Sequence, residues 1–501
     1  MLRTLILFLF VCCSYFSNAQ ILPIDSSKLN YRLVGFSVPL DKQANTYTFE
    51  ISKGNQTHPD SFRKYTFLRE QTTMSSKMIE VPQFGEDYSW RVVYAGVGIK
   101  KKESPIYHFS TLANGRVDTA RYRLRIMKPS KAYKDMYISI DGGGVIYDLS
   151  GNAMAYIPEV NDLGGFVADL DFTADSTLTH NYIRSVYEFN LNGDIIWRSP
   201  EHTTVNTGVG PEIFHHAVTK LRSGHYMTLG MEHLPSKLIV RSDTSYIDFS
   251  RTQPMAEGYK KGIYGTIVEF DKNGKVVWSW KDIDHLTRKD LAYFAATADS
   301  NYNFDPHSNS FFFDEENGFV YLSYRNLSRI IKIDYRTSEI VAIYGENFKP
   351  GATSFGRGYF CNPHGVRRSA NGEIYYFNNN SCRVTDSLPS VVILSEPQRA
   401  GDSLKKVWEY ICTVEGDYPK KFGAGGSAIE LPDHSMLVCM GNAYSKIFIV
   451  TRDKNVTWSA LPEMHIETDN IWANVKQYRA NVIYRDKLEK LIWKAEISMK
   501  R

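Results

Sequence analysis

A surplus of either charge is what this 501-residue chain most plainly lacks: 59 lysines and arginines face 55 aspartates and glutamates, for a formal net charge of +4. Its longest basic run is Lys100-Lys101-Lys102, so no electrostatic footprint for nucleic acid exists. Long apolar runs are also scarce. The one at the start, Leu5 to Val11, breaks down at Ser14, short of the roughly 20 residues a membrane span needs. Cysteine is sparse, at six, and a chain this long has core enough to do without staples. A Gly-x-Ser-x-Gly elbow and a Gly-x-x-x-x-Gly-Lys-Ser/Thr loop are absent, which removes the usual signatures of serine nucleophiles and of phosphate cradles.

What is present describes an exported all-β protein. With 43% hydrophobic and 23% charged residues, the composition is that of an ordinary globular chain, long enough for two or three domains or for one large repeat array with a smaller partner. The 32 tyrosines and 27 phenylalanines favour strands. Residues 1–19 read as a signal peptide: Arg3, then the apolar run, then Ser17-Asn18-Ala19 as a small-x-small cleavage site. The mature chain is expected to begin at Gln20, in the periplasm or outside the cell. Cys12 and Cys13 lack the small preceding residue of a lipid-anchor site. Export leaves Cys361, Cys382, Cys412 and Cys439 where disulfides form. Their pairing stays open, and buried free thiols fit as well.

Two domains follow from the periodicity. Residues 20–113 hold short alternating strands, at Tyr47–Ile51, Met78–Val81, Tyr88–Tyr94 and Tyr107–Thr111, and predict a small β-sandwich similar to a fibronectin type III module. Residues 114–501 carry two recurring elements. One runs apolar-Glu-Phe to a glycine and a tryptophan, at Glu188-Phe189, Gly193, Trp197 and again at Glu269-Phe270, Gly274, Trp278, with weaker copies at Ile331 to Ile340, Val407-Trp408 and Ile447 to Trp458. The other is strand-turn-strand, with markers eight apart at His216 and Gly224, His364 and Gly372, Gly426 and His434; His307 with Gly318 fits through a longer loop. The spacing suits propeller blades of about 40 to 50 residues. Counting Met136 to Ala155 and Phe166 to Trp197 as the first two predicts a six-bladed β-propeller, with a terminal strand at Leu491-Ile492-Trp493 closing the ring.

The innermost strands of a propeller converge on its axis, so His216, His307 and His364 are expected to meet there. Arg325, ending the run Tyr321 to Arg325, belongs on the strand beside His307. Three imidazoles and a guanidinium with no obvious carboxylate point to an anion site, since the arginine fork matches a tetrahedral oxyanion. Three histidines also suit a catalytic zinc ion. The fixed cation at Arg325 argues against a metal, and none is expected.

Phe214-His215-His216-Ala217-Val218, Asp305-Pro306-His307-Ser308-Asn309-Ser310 with Arg325 eighteen residues after His307, and Asn362-Pro363-His364-Gly365 resemble the bacterial arylsulfate sulfotransferase family. The likeness runs from about Met136 to the end and includes Gln477-Tyr478-Arg479-Ala480. It implies an exported β-sandwich plus six-bladed propeller, often a homodimer, that needs no cofactor. The implied reaction moves sulfate from an aryl sulfate to a phenol, in ping-pong fashion through a sulfohistidine and without phosphoadenosine phosphosulfate. By resemblance His364 is the histidine that becomes sulfurylated, while His307, Asn309, Arg325 and His216 hold the sulfuryl oxygens or handle protons. His215 is the alternative to His216, and the eight-residue register favours His216. One departure concerns cysteine: the family carries a closely spaced pair before the nucleophile, whereas only Cys361 precedes His364 here. The competing functions are a metal-dependent propeller enzyme and a non-catalytic ligand-binding propeller.

Overall fold

A computed structural model of the chain describes residues 20–98, 100–141, 144–158, 170–182, 184–205, 211–235, 237–240, 245–248, 261–287, 290, 305–346, 356, 358–383, 388–397, 402–413, 424–442 and 444–499. The expected leader, residues 1–19, lies outside them, as does Phe166, the expected start of the second blade. Two compact units divide the chain: residues up to Asp118 with Met154–Ile157 and everything from Arg485, and then Thr119–Ala153 with Pro158–Tyr484.

In the first unit, strands form where the two-residue period predicts them. Thr46–Lys53, Asp87–Ala95 and Tyr107–Thr111 share one sheet with Ser27–Leu29 and Thr66–Thr72, and Leu33–Ser37 pairs antiparallel with Ser76–Glu80 in another. Phe36 meets Trp90 edge to face at 5.1 Å between ring centroids and Phe49 at 6.0 Å, and all three rings are buried. The C-terminal segment corrects an expectation. Leu491, Ile492 and Trp493 are not a strand but part of the helix Arg485–Ser498. Leu488, Leu491, Ile492 and Ala495 are its buried apolar residues, and their i, i+3, i+4, i+7 spacing is one helix face. The helix is tied to Leu33–Ser37 at Gly35, whose N–H donates to Glu496 at 2.9 Å. A Cβ on Gly35 would sit 2.7 Å from the Trp493 ring, so only glycine fits.

The second unit is a succession of antiparallel four-strand runs, each paired in chain order. They extend from Asp171–Phe172 to Ile195–Arg198, from Ile213–Lys220 to Val276–Lys281, from Ser308–Asp314 to Ile340–Gly345, from Pro363–Arg368 to Lys405–Ile411 and from Ser427–Glu430 to Val456–Ile466. A further sheet joins the two ends of the unit: Met136–Ile140 pairs with Val145–Asp148 on one side and with Ala480–Tyr484 on the other. Ala480–Tyr484 therefore does the joining expected of Leu491–Trp493. The architecture is all-β and propeller-like, and among the described residues no single sheet closes on itself.

Both recurring elements have backbone causes. In three sheets the first hairpin makes one turn: Gly224 donates to the Leu221 carbonyl while Leu221 donates to His225, Gly372 and Ser369 do the same with Glu373, and His434 and Leu431 with Ser435. The marker residue has φ of 83°, 82° and 63° in turn, the left-handed position of a three-residue hairpin loop. The tryptophans of the other element reach between sheets. Their indole N–H groups donate from Trp197 to the Lys272 carbonyl at 2.9 Å, from Trp278 to Ser338 Oγ at 3.2 Å, from Trp408 to the Arg452 carbonyl at 2.7 Å and from Trp458 to the Leu149 carbonyl at 2.8 Å. Each acceptor lies at the outer turn of the next sheet.

Cys361 and Cys382 form a disulfide, while Cys412 and Cys439 are buried free thiols. Among the described residues no helix is long and apolar enough to cross a membrane. The disulfide closes a loop of 21 residues' separation, so replacing both Cys361 and Cys382 by Ser should cost about 3 kcal/mol of stability. Peptide mapping without reductant should show these two joined and the peptides of Cys412 and Cys439 alkylated; alkylation of all four would contradict the bridge.

Candidate active site

The three expected histidines stand where the first strand of a sheet loses regular pairing. Register breaks between Phe214 and Val218, between Ser308 and Ser310, and between His364 and Arg367. His216 and His307 have φ of 62° and 57°, a conformation rare for bulky residues and concentrated at functional sites. At the third break Gly365 takes the left-handed position, φ 65°, and Asn362, two residues before His364, has φ 53°. Such bulges re-aim a side chain out of the pleat.

Together they gather the rings. His216 and His307 are 5.5 Å apart between centroids, and Tyr478 stands 5.5 Å from His216 and 6.4 Å from His364. His215 Nδ1 is 2.5 Å from His216 Nδ1, so both belong to the cluster and one ring bonds the other. Arg325, half-buried, follows the strand Phe319–Tyr324 and donates its backbone N–H to the His307 carbonyl at 2.9 Å. Asn309 is buried; its amide donates to the Pro363 carbonyl at 2.8 Å and its Oδ1 accepts from Ser323 Oγ at 2.6 Å. It thus ties the His307 strand to the residue just before His364.

One expectation is overturned: the cluster does contain a carboxylate. Asp305 Oδ2 lies 2.9 Å from His307 Nδ1, and its Oδ1 accepts the His307 backbone N–H at 2.8 Å. An Asp bonding the backbone two residues on is a local turn motif, so Asp-Pro-His carried that signal in the sequence. Two other residues were missed. Arg479, buried, donates to the Asn309 carbonyl at 2.6 Å, with its guanidinium 5.2 Å from the Tyr478 ring. Asn379 Nδ2 is 2.7 Å from His364 Nδ1. The motif Gln477 to Ala480 marked the first without a role; nothing in the Asn378-Asn379-Asn380 run distinguished the second.

Burial dominates the electrostatics. It pushes His364 well below the ordinary imidazole range, and the charge of Arg325 and the neighbouring His307 add to this. His216 is lowered likewise, by burial and then by His215, His307 and Arg479, and His215 falls to about 4 through burial and His307. Burial raises Asp305, but its bonds to His307 outweigh that and hold it below the usual carboxylate value. His364, His216 and His215 are therefore neutral imidazoles among fixed cations, and the one carboxylate, Asp305, is directed at His307. Among the described residues no group of three or more His, Cys, Asp or Glu side chains is arranged to hold a metal. Neutral imidazoles beside guanidinium groups suit an oxyanion and its transfer to nitrogen.

An imidazole kept neutral in the fold but free to take a proton when unfolded favours unfolding as pH falls. His215 should therefore remove stability between pH 6.5 and about 4. Urea unfolding at about pH 7 and about pH 4.5 should show a smaller acid loss for His215→Asn than for the unsubstituted chain; equal losses would mean that His215 titrates normally.

Of the comparisons with known proteins, the family model alone identifies a family. Solved structures resembling the chain include a nidogen/laminin complex (9% identity, 70% of this chain and 99% of that one, TM-score 0.36). Others are a putative 6-phosphogluconolactonase from Bacteroides fragilis (11%, 73% and 98%, TM-score 0.30) and AztD from Citrobacter koseri (9%, 87% and 98%, TM-score 0.31). Likenesses this loose carry no argument. No curated protein matches the chain. The family model described as Arylsulfotransferase (ASST) matches residues 111–391, over half the chain and including His215, His216, Asp305, His307, Asn309, Arg325 and His364. The chain belongs to the arylsulfotransferase family.

Proposed function

We propose that this enzyme transfers a sulfuryl group from an aryl sulfate to a phenol in two displacements, with His364 as the covalent carrier. Family membership implies the overall reaction. The observation that carries the mechanism is His364 itself: a buried imidazole held neutral by desolvation beside Arg325. Its lone pair is available at neutral pH, and the adjacent cation can hold the sulfuryl oxygens. Sulfuryl transfer resembles phosphoryl transfer in its loose, charge-spread transition state, so positioning and fixed positive charge supply most of the catalysis.

His307 is the better proton carrier, for which Asp305 is the reason. A carboxylate on Nδ1 stabilises the positive charge that the ring takes on with a proton, as in other carboxylate-histidine pairs. In the donor half-reaction His307 gives its proton to the departing phenolate oxygen; in the second it takes the proton of the incoming phenol. Arg479 completes the cationic wall, His216 stands beside it as a neutral imidazole, and Tyr478 offers an aromatic face to a phenyl ring.

The supporting frame is read as a six-bladed propeller that follows a fibronectin-like sandwich in the chain. The hydrogen bonds between sheets support the count. The four tryptophans link the first sheet to the second, the second to the third, the fourth to the fifth and the fifth to the Met136 sheet. Asn309 links the third to the fourth, and Asn481 donates from the Met136 sheet to the Leu170 carbonyl beside the first. Six such links, one between each neighbouring pair of sheets, support the reading of a closed ring. The Cys361–Cys382 disulfide supports export to an oxidising compartment.

Donor alone should release one phenol per site in a burst, and steady-state rates should follow ping-pong kinetics. His364→Asn should abolish burst and turnover, whereas Arg325→Lys should slow the burst without abolishing it, because a point charge cannot replace the guanidinium fork. Activity should survive EDTA. A normal burst in His364→Asn would sink the assignment, and loss of activity together with stoichiometric zinc would favour the metal enzyme.

A further inference from the structure

His364 Nδ1 is enclosed by two groups with opposite demands. The Asn362 carbonyl, 3.2 Å away, can only accept a hydrogen bond. The Asn379 amide, 2.7 Å away, can only donate. The amide has other acceptors, however: Asn379 Nδ2 lies 3.2 Å from the Asn362 carbonyl and 3.1 Å from the Gly425 carbonyl of the next sheet. The backbone N–H of Asn379 also donates to the Asn362 carbonyl, at 3.4 Å. Both hydrogens of the side-chain amide thus have carbonyl acceptors, and Asn379 grips the Asn362 carbonyl through side chain and main chain together.

That carbonyl faces the ring because of an unusual backbone. Asn362 is left-handed at φ 53° and precedes a proline, which restricts it further. Its own side chain donates to the Arg325 carbonyl at 2.9 Å and accepts from Ser381 Oγ at 2.7 Å. Asn362 therefore couples the strand of His364 to Arg325, and Asn379 sets the direction of its carbonyl. Both asparagines are outside the residues to which the family likeness assigns a role.

We propose that the Asn362 carbonyl, held in place by Asn379, keeps His364 in the form protonated at Nδ1, so that Nε2 carries the lone pair and receives the sulfuryl group. The inference rests on the carrier role proposed above. In the step, Nε2 forms the N–S bond as the aryl O–S bond breaks; the bonding pair leaves on the phenolate oxygen, which takes a proton from His307. Nδ1 retains its proton throughout. The positive charge that appears on the sulfurylated ring is stabilised by the Asn362 carbonyl, and the ring later departs as neutral imidazole when the phenol takes the group. Asn379 is thus a positioning residue. At His216 an asparagine likewise grips backbone carbonyls: those of His215 and Ala217 both accept from Asn181 Nδ2, at 2.9 and 3.1 Å.

The test begins with the unsubstituted full chain, labelled with 15N-histidine at neutral pH, the His364 signals being those lost in His364→Asn. Long-range proton–nitrogen correlations should show the proton on Nδ1. A proton on Nε2, donated-to at Nδ1 by the Asn379 amide, would overturn the proposal whether or not the enzyme forms a sulfohistidine. Asn379→Ala should mix the two tautomers and slow the burst by about 10- to 100-fold without reducing its amplitude. Asn379→Asp, whose carboxylate can accept from Nδ1–H directly, should restore the single tautomer. An Ala variant that is folded, with tautomer and burst both unchanged, would equally overturn it. Absence of a burst in the unsubstituted enzyme would instead contradict the carrier role and leave the tautomer result standing.

Discussion

A neutral imidazole buried among positive charges is the constraint around which the second unit is arranged. Burial alone disfavours a charged His364, and Arg325 and Arg479 add repulsion to any proton it might take. The same desolvation that keeps the ring neutral makes each neighbouring cation act more strongly on an anion in the cluster. In the proposed mechanism nucleophile and oxyanion receptor are therefore one electrostatic device. It depends on keeping water away from groups that come from distant parts of the chain.

The sheets supply that exclusion and bring the groups together. Each candidate histidine sits at an interruption in the first strand of a sheet, where a left-handed residue breaks the pleat. Those interruptions are stabilised from neighbouring sheets: Asn309 holds Pro363, Asn181 holds the carbonyls around His216, and Asn379 reaches Gly425. Site and frame share these bonds, so locally strained backbone persists because adjacent sheets over-determine it. Farther out, the tryptophans of the fourth strands make the corresponding links between sheets.

Much of this was legible in the sequence. Strand period and turn chemistry fix the sheets because they are local properties, and the eight-residue spacing from His216 to Gly224 and from His364 to Gly372 reflects one hairpin loop with a left-handed glycine. The convergence of His216, His307 and His364 followed from placing equal repeat positions on equal strands. Leu491-Ile492-Trp493 was misread because three apolar residues in a row have no period of their own; only with Leu488 and Ala495 does the helix face emerge. Asp305 was overlooked although Asp-Pro-His carries its turn motif locally; Arg479 and Asn379 were missed for another reason. Their roles depend on which backbone atoms lie across a sheet boundary, and sequence spacing does not record that.

The central claim is that the sulfuryl group rests on His364 between the two half-reactions. The most direct measurement is mass spectrometry of protein quenched after mixing with an aryl sulfate and no phenol, digested under conditions that preserve N–S bonds. The account predicts the added sulfuryl mass on the peptide containing His364, lost when a phenol is added before the quench. Its appearance on the peptide of His216 or His307, or on neither while turnover proceeds, would contradict it.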